Sequence, residues 1–398
     1  MSLSTKTSAI LICGAVILSV SLGVRHAFGL FLQPVSLDYG WGREVFGLAI
    51  ALQNLVWGAA QPLAGLWADR KGAGPVILIG GLLFASGVAL MAVVDSQSLF
   101  VLVAGILVGL GLAGTTMPIV FGAISRAMPP EKTSLAFGVA MSVGSIGQFV
   151  LLPGSLAMIE EMGWAAALLI LSAISTLIIP LSFALREHPG TTPAAVGLTA
   201  NEAIRHALGD RGYILLCFGF LVCGFQVVFI STHIAGFLID AGLSMAVGAT
   251  VLALIGLFNV FGTLFAGYLG GRYSKPRLLT GIYLARAVTI SIFLFFPATP
   301  LTAYLFATAM GLLWLSTVPL TNGVVATMFG VRNMSLLGGI LFSAHQIGSF
   351  LGGWLGGAVF DQLGSYEVAW GFAIGLSLLA ALANWPIKEA PVGVTARS

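Results

Sequence analysis

The sequence predicts an all-α integral membrane protein whose twelve transmembrane helices form two pseudo-symmetric six-helix bundles. Three observations carry that expectation. Of 398 residues, 58% are hydrophobic and 8% charged, with a mean hydropathy of +1.03, which is too apolar for a water-soluble globule. The apolar residues gather into runs of about 20, the length that crosses roughly 30 Å of hydrocarbon as a helix. The second half of the chain also repeats features of the first at a displacement of about 201 positions, a construction common among secondary transporters.

In chain order the runs, numbered as spans one to twelve, lie near 9–32, 46–68, 75–94, 99–124, 135–157, 164–185, 213–238, 247–270, 278–296, 300–326, 336–358 and 367–387. A short polar start and the lack of a small-residue cleavage site after the first run mark it as a retained span, not a signal peptide. Span ten holds Pro319 beside Thr321 and Asn322 and is expected to kink. Basic residues set the orientation: from Lys6, Arg70 and Lys71 through Lys388 and Arg397 they fall on one side, with Arg43 on the other. Both termini are therefore expected in the cytoplasm.

The longest polar stretch, 186–212, separates an N-terminal bundle at 1–185 from a C-terminal bundle at 213–398. It carries Pro189, Gly190 and Pro193, and then Thr199-Ala200-Asn201-Glu202, a capping box opening a short amphipathic helix. Cys13, Cys217 and Cys223 lie in apolar runs without metal-ligand spacing, so neither a disulfide framework nor a metal site is expected. Gly109 to Gly114 spells a dinucleotide fingerprint, but inside an apolar span and after no strand, so its glycines are read as packing positions. No Walker loop is present, and no cofactor, metal or nucleic-acid partner is expected.

The internal repeat pairs Gly23 with Gly224, Phe28 with Phe229, Pro118 with Pro319 and Gly122 with Gly323. Its asymmetries are informative: Gln226 stands in register with Arg25, and His345 with Gly144. Arg25 is the central observation. An intramembrane charge is expensive and marks a functional site by default. All fourteen Asp and Glu residues fall in loops or at span ends, so no mid-membrane carboxylate balances Arg25 and a cationic cargo is disfavoured. Arg25 shares a helical face with Ser21, Leu22 and Phe28, a cation over an apolar wall that suits a carboxylate with a hydrophobic tail. His26, His233 and His345 lie inside spans and are candidates for carrying a proton, as are the span-end acids Asp38 and Asp240; His233 and His345 are also candidates for lining the path. Arg286, in span nine, is expected to serve structure more than binding. Gln53, Asn54, Gln61 and Gln148 are expected to be interhelical hydrogen-bond partners.

Gly65-Leu66-Trp67-Ala68-Asp69-Arg70-Lys71-Gly72, between spans two and three, resembles the cytoplasmic loop signature of the major facilitator superfamily, and the likeness extends over the whole chain. That resemblance implies alternating access, with spans one, four, seven and ten lining a cavity and Asp69 and Arg70 acting at the inner gate. Asp69 would seat against a helix N-terminus and Arg70 would pair with nearby acids. Asp38-Tyr39-Gly40-Trp41-Gly42 and Glu131 to Ala140 are similar to the paired signatures of monocarboxylate porters and bacterial oxalate/formate exchangers. This implies a small organic anion, most of all a monocarboxylate, carried with a proton across a bacterial plasma membrane in contact with lipid. Those porters carry an arginine in span eight, where this chain has Asn259 and Gly262 and no charge, which leaves the cationic role to Arg25. The expected substrate ligands are Arg25, Phe28, Gln226, His233, Asn259, Asn322 and His345. The alternative is a proton-driven exporter of hydrophobic compounds.

Overall fold

The structure, a computed structural model, describes residues 4–186 and 198–391. Pro189, Gly190, Pro193 and Arg397 lie outside the described residues. Among those described, eleven helical segments are long and apolar enough to cross a membrane: Thr5–Tyr39, Ala73–Met91, Gln97–Ala127, Pro130–Met162, Trp164–Leu185, Arg211–Asp240, Met245–Gly270, Lys275–Phe295, Pro300–Phe329, Met334–Phe360 and Glu367–Asn384. The twelfth, span two, is the 29-residue helix Arg43–Lys71, in which Gln53, Asn54 and Gln61 dilute the apolar residues. Twelve membrane helices result among the described residues.

Four spans are interrupted, each near a proline; in span six the helix stops at Ser175 and resumes at Ile178, ahead of Pro180. Span one tightens to a 3-10 turn over Phe28–Phe31 before resuming as Leu32–Tyr39. Pro34 lacks an N–H and its ring crowds the carbonyl four residues back, at Leu30, inside that turn. Span four opens into a π turn over Val103–Leu107 and then breaks at Thr116, whose backbone is extended, before Met117–Ala127. In span ten the expected kink is a break: the helix stops at Leu313 and restarts as Thr317–Phe329. Pro118 and Pro319, matched by the internal repeat, both stand in the first turn after a break, where a proline costs little.

The chain divides into two compact units, one of Met1–Pro129, Val143–Ala200 and Val331–Ser343, the other of Pro130–Ser142, Asn201–Gly330 and Ala344–Ser398. The opening residues of span eleven thus join the first unit, and those of span five the second. Small side chains at every fourth position explain both placements. In the first unit Ser343 donates to the Gly58 carbonyl at 2.6 Å, and a Cβ added to Gly339 would lie 2.8 Å from the Gln61 carbonyl. In the second, Ser142 donates to the Val260 carbonyl at 2.7 Å, and a Cβ at Gly138 would lie 2.7 Å from the Cα of Gly267. Ser134, Gly138 and Ser142 are the repeat equivalents of Ser335, Gly339 and Ser343. Close helix approach through small residues is how membrane helices associate when lipid removes the hydrophobic driving force.

The stretch Asp38 to Gly42 builds the turn after span one. Gly40 takes φ +65°, Tyr39 stacks on Trp41 at 4.5 Å, and Trp164 donates its indole N–H to Asp38 at 3.0 Å. After the linker, a helix spans Ala200–Gly209 with Ala203 and Ala207 buried, and Asp210 caps span seven by accepting from the Tyr213 N–H at 2.8 Å.

Candidate functional site

In the first unit, the position of Arg25 follows from how span two is fixed. Gln53, Trp57 and Gln61 recur at i, i+4 and i+8 and all turn to span four. Gln53 donates to the Ala104 carbonyl at 2.8 Å, Trp57 to Thr116 Oγ1 at 3.1 Å, and Gln61 to the Ala113 carbonyl at 2.8 Å. Ala104 lies in the π turn, and Thr116 is the break itself. Asn54, one residue round the helix from Gln53, therefore points to span one. Arg25 Nη2 donates to Asn54 Oδ1 at 3.0 Å.

On span one, Leu22 and Phe28 flank Arg25 at helical spacing. Phe28, Leu22 and Val24 are buried, and Ser21, one turn back, has a buried hydroxyl with no hydrogen-bond partner. Arg25 Nε is likewise buried and has no acceptor. All the described Asp and Glu residues lie at helix ends or in loops, so what Arg25 meets is a neutral amide. His26 is exposed, and its Nδ1 sits 2.7 Å from the carbonyl of Leu22 in its own helix. Arg25 and His26 thus diverge, as neighbours on a helix must. Asp38 and Asp240 are exposed at span ends.

A second polar centre of the first unit lies at the cytoplasmic signature. Asp69 accepts from Arg126 Nη1 at 2.8 Å and from the Ser335 N–H at 3.1 Å on one oxygen, and from the Leu336 N–H at 2.7 Å on the other. These N–H groups open span eleven, so the carboxylate caps a helix N-terminus and meets its dipole. Arg126 of span four holds Asp69, while Arg70 lines a recess of about 410 Å³ with Thr199, Arg332 and Asn333. Asp69 and Arg70 are consecutive residues of one helix and face different directions.

In the second unit, Arg286 is fully buried and closes the break in span ten. It donates to the carbonyl of Leu313 at 2.7 Å, to that of Trp314, and through Nη1 to Gln226 Oε1 at 3.1 Å. Gln226 in turn donates to Ser377 at 2.7 Å and to the Ala373 carbonyl at 3.0 Å. Asn259 accepts from the Leu315 N–H at 2.9 Å. Gln226 and Asn259, expected as substrate ligands, are engaged with the orphan groups of the broken helix and with span twelve. Cys223 joins the same cluster, its Sγ 3.1 Å from Thr317 Oγ1.

The histidines of this unit are held in the seam between spans seven and eleven but are not brought together. His345 packs on Phe220 with ring centroids 4.8 Å apart and lies 3.4 Å from Ser349 Oγ. His233 sits at the Gly353 carbonyl, 3.0 Å away, with its ring tilted against Phe229 and Tyr366. His233 and Phe220 are thirteen residues apart on span seven, about 20 Å at 1.5 Å per residue. Asn322 is buried, donating to the Val318 carbonyl at 3.0 Å, while its Oδ1 has no partner. An apolar cavity of about 720 Å³ lies along Phe261, Leu264, Phe265 and Leu312, and none of the expected site residues lines it.

Sequence reasoning placed Asn54 among helix-to-helix partners, and the structure joins it to the central cation. Arg126 carried no role in the sequence reading.

Comparison with known proteins gives a consistent picture. The family described as Major Facilitator Superfamily matches residues 11–330. Human monocarboxylate transporter 11 is 26% identical over 369 residues, covering 88% of this chain and 76% of that one. The oxalate:formate antiporter of Oxalobacter formigenes is 24% identical over 369 residues, covering 89% and 85% respectively. The crystal structure of the E. coli fucose:proton symporter superposes with a TM-score of 0.74 at 15% identity, covering 95% of this chain and 97% of that one.

Proposed function

The chain belongs to the Major Facilitator Superfamily, and on that premise we propose that this membrane transporter carries small organic anions, above all monocarboxylates, together with a proton by alternating access. The observation that carries this reading is Arg25. It is a guanidinium within a span, held by one amide on a helical face shared with Leu22 and Phe28, and the described carboxylates all lie at helix ends or in loops. A carboxylate supplies the missing charge and takes two parallel N–H bonds from one guanidinium. Phe28 and Leu22, on the Arg25 face of span one, form the wall for the cargo's tail. The proton travels on the cargo carboxylate, on His233 or His345, or through Asp38 or Asp240. The similarity to monocarboxylate transporters and to the oxalate:formate antiporter supports the anion class.

The same reading makes Asp69 a latch. Its bonds to the first N–H groups of span eleven, and to Arg126, hold the cytoplasmic end closed and release when the carrier turns inward. The setting is a bacterial plasma membrane with both termini in the cytoplasm.

The test is uptake of radiolabelled pyruvate into proteoliposomes under an imposed inward proton gradient. Wild-type protein accumulates label, and Arg25→Ala loses at least about tenfold in rate. Normal uptake by Arg25→Ala refutes the assignment.

A further inference from the structure

The Arg25 fork is half occupied, and this has a consequence for how cargo binds. Nε–H and one hydrogen of Nη2 point side by side from a guanidinium, spaced to meet the two oxygens of one carboxylate. Here Nη2 donates to a single neutral oxygen, Asn54 Oδ1, at 3.0 Å, and Nε is buried with no acceptor. A buried N–H of a charged group left without an acceptor is costly. A carboxylate adds charge-charge attraction and a second, parallel bond that a neutral amide oxygen does not supply to a guanidinium. Exchanging the amide oxygen for a carboxylate therefore gains a second bond and strengthens the first.

The helix beneath Asn54 need not move for this exchange. Gln53, Trp57 and Gln61 tie span two to span four on either side of Asn54 along the chain, so only the amide side chain has to swing away. From this geometry we infer that Asn54 is a specificity-determining residue, the resting acceptor that the cargo carboxylate displaces from Arg25. The inference rests on the anion-carrier reading above. Asn54 weakens binding by the free energy of the bond that cargo must break, and it keeps Nη2 satisfied while the site is empty. It also favours carboxylates over neutral isosteres, because a second neutral oxygen gains little by replacing the first.

The test is equilibrium binding of radiolabelled pyruvate to the purified full-length protein in detergent, compared among wild type, Arg25→Ala, Asn54→Ala and Asn54→Asp. Asn54→Ala removes the competitor and is expected to tighten binding by about three- to tenfold, while Asn54→Asp installs a permanent rival carboxylate and weakens it by more than about tenfold. An Asn54 that merely supports the helix would weaken binding in both variants. Unchanged or weaker binding by Asn54→Ala, with binding abolished by Arg25→Ala, overturns the inference and leaves the anion site standing. Pyruvate binding by Arg25→Ala equal to wild type, or its absence in wild type, overturns the anion-site reading and the inference with it. If Asn54→Asp elutes as aggregate, the sign of the Asn54→Ala change decides alone.

Discussion

Arg286→Leu separates the two buried arginines by what each one holds. At the break Arg286 serves the carbonyls of Leu313 and Trp314 and the amide oxygen of Gln226. Hydrogen bonds between membrane helices are worth on average about 0.6 and at most about 1.7 kcal/mol, so three acceptors represent about 2–5 kcal/mol. Leucine removes the cost of burying a guanidinium, which offsets part of that loss and places the expected destabilisation near ~2 kcal/mol. Arg25→Ala leaves one acceptor, Asn54 Oδ1, and is expected to cost under about 1 kcal/mol. The assay is thermal unfolding of each purified variant in detergent, with and without pyruvate. Arg286→Leu should unfold at a clearly lower temperature yet still be stabilised by pyruvate, and Arg25→Ala should unfold near wild type and show no stabilisation. Refutation takes the inverse form, in which Arg286→Leu keeps wild-type stability and loses the pyruvate effect. Arg286 would then be the anion ligand.

Three further outcomes follow from the same geometry. Asp69→Asn removes the negative charge that faces Arg126 and the span eleven N-terminus, so a cysteine replacing Ser343 in the same seam should react with a cytoplasmic-side thiol reagent at least about threefold faster than in the wild-type background. An unchanged labelling rate removes Asp69 from the latch. Gly138→Leu has no room beside Gly267 and is expected to abolish transport or accumulation in the membrane, whereas Gly281→Leu, where an added Cβ meets nothing within 4 Å, should be tolerated in both. His26→Gln, at an exposed side chain bonded within its own helix, should leave the pH dependence of uptake unchanged; a shifted pH profile would make His26 part of the proton path.

Much of this architecture was readable from residue order. Runs of about 20 apolar residues located all twelve spans, because in hydrocarbon only a helix satisfies every backbone group locally. The break in span ten was signalled by Pro319. The matching break at Thr116 had a signal too, in Pro118 at the equivalent repeat position, but the π turn at Val103–Leu107 had none, since it depends on Gln53 reaching the Ala104 carbonyl from another helix. Arg25 stood out because a lone charge in an apolar run is improbable without a role. Its partner did not: Asn54 lies 29 residues away, and its direction is set by the seam that Gln53, Trp57 and Gln61 form with span four. Arg126 escaped for the same reason, being 57 residues from Asp69. Gln226 sat in register with Arg25 and Asn259 in the span that carries an arginine in the similar porters, yet Arg286 and span twelve engage Gln226 and the Leu315 N–H at the span ten break engages Asn259.

The most direct test of the anion-carrier account is the unfolding temperature of wild-type protein in detergent against pyruvate, butyrate, oxalate, a quaternary amine and a neutral lipophile. A ligand that binds the folded state raises that temperature by mass action. The account predicts stabilisation by the monocarboxylates in a concentration-dependent manner and none by the amine or the lipophile. Stabilisation by the amine or the lipophile alone, with no response to any carboxylate, would contradict it.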